Sequence, residues 1–190
     1  MHNNLYNISP IDGRYSKLTQ ELNNYFSESA LIKYRIYIEI EYFIRLCKTR
    51  LPELKHISKK DLNLIKRIAS EVSDEDIQRV KQIESITNHD VKAVEYFIKE
   101  KFEKINLNSE KEFIHFGLTS QDINNVALTM MVKEAVDNVI IPQITHLASK
   151  IRDCGKEWKN IVMLAKTHGQ PAVPTTLGKE FMVYWERLRT

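Results

Sequence analysis

The sequence predicts an all-α protein: a mostly helical N-terminal domain followed by the start of a long-helix bundle. Three observations carry that expectation. Glycine and proline number only five each in 190 residues and are confined to a few places. Apolar residues recur at i, i+3, i+4 and i+7 over most of the chain, the spacing of a helix face. No segment shows the sustained alternation of a half-buried strand.

Residues 1–27 read as irregular, with Ser9-Pro10-Ile11-Asp12-Gly13-Arg14-Tyr15 as turn chemistry. From Glu28 to Thr49 the pattern is helical and apolar nearly all round (Leu31, Ile32, Tyr34, Ile36, Ile38, Ile40, Tyr42, Phe43, Ile44, Leu46), and Pro52 ends it. Such a helix is expected to be enclosed by several neighbours. Ser58-Lys59-Lys60-Asp61, Ser73-Asp74-Glu75-Asp76 and Ser109-Glu110-Lys111-Glu112 each resemble a capping box ahead of an apolar stripe. Thr87-Asn88-His89-Asp90 interrupts the chain before the stripe Val91, Val94, Phe97, Ile98, Phe102. Thr119-Ser120 opens the longest helical pattern, running toward Val139, and Pro142 kinks or starts a helix. Ile144, Leu147, Ala148, Ile151 and Trp158 continue it. A stiff loop, Lys166 to Thr176, holds His168 between Gly169 and two prolines, after the short apolar run Ile161 to Leu164. Leu177, Phe181, Tyr184 and Leu188 begin a last helix with no stop signal before Thr190, so truncation in mid-helix is expected. A domain boundary is placed at 110/111, giving 1–110 and 111–190.

A net charge of +3 with both signs interspersed argues against nucleic acid as a partner. The sequence has no apolar run near 18 residues, so no membrane span is expected. Met1 to Tyr6 is polar and lacks the apolar stretch of a secretory signal, which makes the cytoplasm the expected location. On that basis the glycosylation-like Asn7-Ile8-Ser9 is a chance match. Cys47 and Cys154 sit within helical apolar patterns and are read as reduced core residues.

Three polar islands carry the candidate chemistry, each placed where a helix should begin: Asn88-His89-Asp90, Thr119-Ser120 and His168. Helix N-termini offer free N–H groups and a positive dipole end to anions. Capping alone accounts for Thr119 and Asp90. It does not account for a histidine at each island, His89, His115 and His168; each of these could equally be a structural histidine held by hydrogen bonds. Arg14 beside Tyr15 could clamp a phosphate, and a solvated turn explains the pair as well. The chain has neither a His-Glu-x-x-His nor a Cys/His pair at zinc spacing, so no metal is expected. Glycine-rich dinucleotide and P-loop motifs are also missing.

Taken in order, Ser9-Pro10-Ile11-Asp12-Gly13-Arg14-Tyr15, Thr87 to Glu95, Phe113 to Asn125 (FIHFGLTSQDINN) and Thr167-His168-Gly169-Gln170-Pro171-Ala172 resemble the adenylosuccinate lyase family of the fumarase/aspartase superfamily, in its longer bacterial form. The resemblance implies elimination of fumarate from adenylosuccinate, leaving AMP, and from the succinyl-carboxamide ribotide of purine synthesis, with no cofactor. It implies that Arg14 and Tyr15 bind the nucleotide, that Asn88, His89 and Asp90 line the pocket, and that Thr119 and Ser120 hold a succinyl carboxylate. His115 would lie near the phosphate, and His168 would be the general acid for the leaving nitrogen. The family's catalytic serine lies on a loop of pattern Ser-Ser-x-Met-Pro-x-Lys-x-Asn-Pro, which does not occur here. The family chain is more than twice as long and forms a homotetramer with shared active sites. The chain is therefore expected to be an N-terminal portion, inactive alone. The rival readings are a non-catalytic helical interaction module and a sister fumarate-releasing enzyme such as argininosuccinate lyase.

Overall fold

The computed structural model describes residues 7–49 and 51–190. The polar N-terminal hexapeptide, on which the expectation of no secretory signal rests, lies outside the described residues. The chain divides into two compact units, Met1–Glu134 and Ala135–Thr190.

In the first unit a short turn, α1 (Asn23–Phe26), leads to α2 (Glu28–Lys48), whose N-cap Ser27 accepts the Ala30 N–H through its side chain. As its all-round apolar sequence requires, α2 is the central helix: Ala30, Ile32, Ile36, Ile38, Ile40, Phe43 and Ile44 are all buried. It also buries two charged residues, Arg35 and Glu39. Around it pack α3 (Lys59–Ser70), α4 (Asp74–Thr87) and α5 (Asp90–Lys104). Ser58/Asp61 and Ser73/Asp76 form full capping boxes at the starts of α3 and α4, as their spacing predicts. The third expected box does not form. Ser109 makes no cap bond, and Glu110–Phe113 is a 3₁₀ turn. Its acids are taken elsewhere: Glu110 meets His56 at 2.6 Å and Glu112 meets Lys99 at 2.8 Å.

The main core joins Ile32, Ile36, Ile40 and Phe43 to Leu54, Ile65, Val80, Phe97, Ile98 and Phe102. Phe43 and Phe102 meet edge to face at 4.9 Å. Each such side chain contributes about 1.5–3 kcal/mol through removal from water. A second, smaller cluster of Ile38, Val91, Ile123 and Ala127 seats α6 (Ser120–Ala135) on α2 and α5. This cluster brings the N-terminus of α6 beside the N-terminus of α5.

The second unit begins with a π-helical segment, Val136–Ile140, followed by α7 (Ile141–Glu157) with Pro142 in its first turn. Proline cannot donate a backbone hydrogen bond and crowds the carbonyl four residues back, and the wider π turn relieves that crowding. The stretch expected as a loop is instead a β-hairpin, β1 (Val162–Thr167) and β2 (Gln170–Thr176), so the described residues are all-α apart from one small ribbon. Pro171 and Pro174 argue against a strand in the sequence, yet a two-stranded ribbon has a free edge where the missing N–H costs nothing. The register slips between Leu164 and Lys166. Helix α8 (Leu177–Arg189) then packs on α7, with Trp158 edge to face on Phe181 at 4.8 Å.

At that packing Gly178 donates to the Trp158 carbonyl, and a Cβ added to it would collide with the Gly155 carbonyl oxygen and lie 2.6 Å from the backbone of Lys159. Those are main-chain atoms, which cannot rotate away. Gly178→Ala is expected to destabilise the second unit by about 1–3 kcal/mol, the usual cost of overpacking. Thermal melting of the variant beside a Gly169→Ala control checks this, because Gly169 has open space around its Cβ position and tests only the backbone cost.

Cys47 and Cys154 are both free thiols, half-buried. Among the described residues no helix is long and apolar enough to cross a membrane.

Candidate functional site

Two helix starts and one strained loop build the site in the first unit. Helix α4 ends on Asn88, which adopts the left-handed conformation (φ 51°) and donates its N–H to the Glu84 carbonyl. That turn reverses the chain so that α5 can begin directly afterwards. The cap of α5 is His89, not Asp90 as capping preference suggests. His89 Nδ1 accepts the Lys92 N–H at 3.2 Å. With Nδ1 accepting, the neutral ring carries its proton on Nε2, and that nitrogen faces Ser120 Oγ at 3.4 Å. The histidine at this island is therefore accounted for by capping after all, and the cap also aims its other nitrogen at the start of α6.

Freed from capping, Asp90 splits its carboxylate between two partners. Oδ1 accepts the Val91 N–H at 2.8 Å, and Oδ2 takes the Arg35 guanidinium at 2.6 Å. Burial pushes the Asp90 carboxyl up, but the Val91 N–H and Arg35 outweigh it and leave it below the ordinary carboxylate range. Arg35 Nε also donates to Asn124 Oδ1 at 3.0 Å, which ties α6 to the same buried cation. At the start of α6, Thr119 donates both its N–H and its hydroxyl to Asp122, at 2.7 and 3.0 Å.

His115 lies in the loop before α6 with φ 60°, followed by Gly117 at φ 72°. A positive φ on a histidine is uncommon and costs energy, so something must hold it there. Its Nδ1 meets Glu39 Oε1 at 2.5 Å, and the Glu39 side chain is fully buried. Nearby, Tyr42 donates its hydroxyl to the Phe116 carbonyl at 2.8 Å and steadies the same loop.

The structure thus brings Asn88, His89, Asp90, Thr119, Ser120 and His115 to one region. An open cleft of about 620 Å³ lies against it, lined by Lys81, Glu84, Ser85, Asn88, His89 and Asp90. Arg14 and Tyr15 stack on each other within their own turn, at 4.8 Å. Among the described residues neither is hydrogen-bonded to the cluster. Their turn is well defined: Gly13 donates to Ser9, Tyr15 donates to Pro10, and the Ser9 N–H reaches Asp12 Oδ1. His168 belongs to the second unit. It is the first of two hairpin-tip residues, His168 (φ 53°) and Gly169 (φ 75°), between the paired Thr167 and Gln170. Two consecutive positive φ values mark a type I′ turn, whose twist suits a tight hairpin. His168 therefore does not begin the last helix, as the sequence suggests. It is presented, exposed, at the end of a ribbon.

Among the described residues no group of three His, Cys, Asp or Glu side chains is placed to hold a metal ion.

A family model for lyases matches residues 13–190. The chain belongs to that lyase family. Among curated members it is 54% identical over 98% of its length to the adenylosuccinate lyase of Dictyostelium discoideum. It is 44% identical over 96% to that of Legionella pneumophila (strain Corby), and 42% over 91% to that of Escherichia coli (strain K12). It covers 41, 40 and 38% of those proteins, so the chain spans about two fifths of the length of the curated relatives it matches. Among solved structures it superposes on fumarate lyase from Mesorhizobium sp. BNC1 with a TM-score of 0.69 at 18% identity, covering 90% of this chain and 37% of that one. For the β-carboxy-cis,cis-muconate cycloisomerase of Acinetobacter calcoaceticus sp. ADP1 the TM-score is 0.67, again at 18% identity, covering 90 and 38%. These likenesses establish the fold of the lyase family.

Two residues that shape this candidate site escaped the reading of the sequence: Arg35 and Glu39. The signal was weak, because Lys33, Glu41 and Arg45 are also charged on this helix and none of those three is buried. Arg35 and Glu39 differ in lying on the buried face of the helix, where a charge has to be paired.

Proposed function

We propose that the full-length protein carrying this chain is an adenylosuccinate lyase, releasing fumarate from adenylosuccinate and from the succinyl-carboxamide ribotide. The observation that supports this most is the ordered set of four motifs, together with relatives of that name at 54, 44 and 42% identity over nearly the whole chain. The reaction breaks the bond between nitrogen and a succinyl carbon. A base takes the proton from the neighbouring carbon, that electron pair becomes the new double bond, and the nitrogen leaves with the pair of the old bond. In this reading His168 gives the nitrogen its proton, a step typically worth about 10²–10⁴ in rate. Charge building on the succinyl carboxylate is met by Ser120, by Thr119 and by the N–H groups at the start of α6. Asn88, His89 and Asp90 line the pocket, Arg14 and Tyr15 take the phosphate, and His115 stands near it. The proton-abstracting serine lies on a loop outside this chain, so the 190-residue chain alone is expected to show no turnover.

The same reading makes 1–110 the first domain and 111–190 the start of a helical bundle, assembled as a cytoplasmic homotetramer with shared sites. Ile144, Leu147, Val162, Leu164 and Tyr184 are exposed in the second unit, an apolar surface that a bundle of subunits would cover. The test is direct: purified full-length protein is given adenylosuccinate and followed by ultraviolet absorbance, with argininosuccinate in parallel. Turnover of adenylosuccinate is the expected result. Turnover of argininosuccinate alone, or of neither, overturns the proposal.

A further inference from the structure

We propose that Glu39 is a positioning residue for substrate binding: it holds the Nδ1–H of His115 and so fixes that ring beside the place where an anionic group of the substrate is bound at the start of α6. The proposal rests on the function above only for the identity of that anion.

Four observations carry it. Glu39 Oε1 and His115 Nδ1 are in direct contact at 2.5 Å. Glu39 is a fully buried acid whose second oxygen, Oε2, has no hydrogen-bond partner, so His115 is the group that compensates it. His115 holds a left-handed backbone conformation, which aims its ring and requires a tether. The ring also acts on the start of α6: the Asp122 carboxyl is held low first by the Thr119 N–H and hydroxyl, and in addition by His115.

The surrounding charges fit. Burial pushes the Glu39 carboxyl up, and His115 opposes that. From α5, Glu95 also faces Glu39, but Glu95 is itself neutralised by Lys92 at 2.7 Å and Lys99 at 3.1 Å. On its own helix the neighbouring cation, Arg35, is engaged by Asp90 and Asn124. His115 is thus the partner left for Glu39.

The test uses full-length protein and two replacements, Glu39→Gln, which keeps an acceptor for Nδ1–H, and Glu39→Leu, which removes it. Both are made alone and in a His115→Ala background. Glu39→Leu is expected to raise KM for adenylosuccinate about tenfold or more with kcat changed less than about threefold, and Glu39→Gln to fall between Leu and wild type. In the His115→Ala background neither replacement should move KM further, because Glu39 acts through that ring. Equal effects in both backgrounds, an unchanged KM, or a loss of kcat at constant KM overturns the proposal. A second arm needs no substrate turnover. Inorganic phosphate and succinate are each titrated while Tm is followed; at least one should stabilise the wild type, with a midpoint about tenfold higher in Glu39→Leu. If adenylosuccinate is not turned over but this midpoint moves, the assigned reaction fails and the positioning role stands. If no midpoint moves, the positioning role fails.

Discussion

Replacing His168 by alanine in the full-length protein is expected to lower kcat about 10²–10⁴-fold while leaving KM within a few-fold. The asymmetry follows from where the side chain sits. His168 occupies the tip of the β1–β2 hairpin and is exposed there, so removing its imidazole deletes no core contact and leaves no buried group unpaired. Folding should be untouched, and Tm should match wild type. The ribbon itself is stiffened by Pro171 and Pro174 and anchored into α8, where Thr176 caps the helix by accepting the Lys179 N–H at 3.2 Å. A group that protonates the leaving nitrogen is used only as the carbon–nitrogen bond breaks, so its loss should register in kcat and in kcat/KM equally. Steady-state kinetics of the variant provide the check. An unchanged kcat would remove His168 from the mechanism, and a large rise in KM at constant kcat would turn it into a binding residue.

Replacing Arg35 by methionine is expected to cost about 1.5–3 kcal/mol of stability and to weaken substrate binding at the same time. Methionine keeps the volume of the buried stem but drops both hydrogen bonds, leaving Asp90 and Asn124 without their shared donor. The figure stays below the cost of stranding a fully buried charge, because the Asp90 side chain is 46% exposed and water screens part of its loss. The pH dependence has a definite sign. The folded-state pKa of Asp90 lies below its ordinary value. The stabilisation from its ionised form is therefore present above the unfolded pKa of about 3.9 and is lost as pH falls through the lower folded value. Arg35→Met should shrink that acid-sensitive part, so wild type and variant should differ most near neutrality and converge in strong acid. Urea unfolding at a series of pH values measures it. A gap that is constant with pH would show that Arg35 acts by packing alone.

Most of the fold was legible because helices announce themselves locally. The Ser-x-x-Asp boxes at Ser58 and Ser73, the interruption at Thr87 to Asp90 and the apolar stripes of α2 and α5 all depend on neighbours within a few residues. The hairpin was not legible, because its strands are short, its prolines are normal signs against a strand, and its pairing is set by the His168-Gly169 turn more than by alternation. The third capping box failed for a tertiary reason: Glu110 and Glu112 found ion-pair partners on other segments. At the candidate site, the 88–90 and 119–120 islands do meet. What the sequence could not display was that Arg35 and Glu39 reach those segments from behind, because partners 55 and 76 positions apart leave no local trace.

Arg35 and Glu39 lie one turn apart on a single buried helix, and between them they grip the starts of α5 and α6 and the His115 loop. The placement of three segments therefore depends on two neighbouring side chains of one helix. A library of the full-length protein randomised at these two positions and sorted only for survival at high temperature should keep apolar replacements of Glu39, whose buried second oxygen is unpaired, that sorting for affinity would discard.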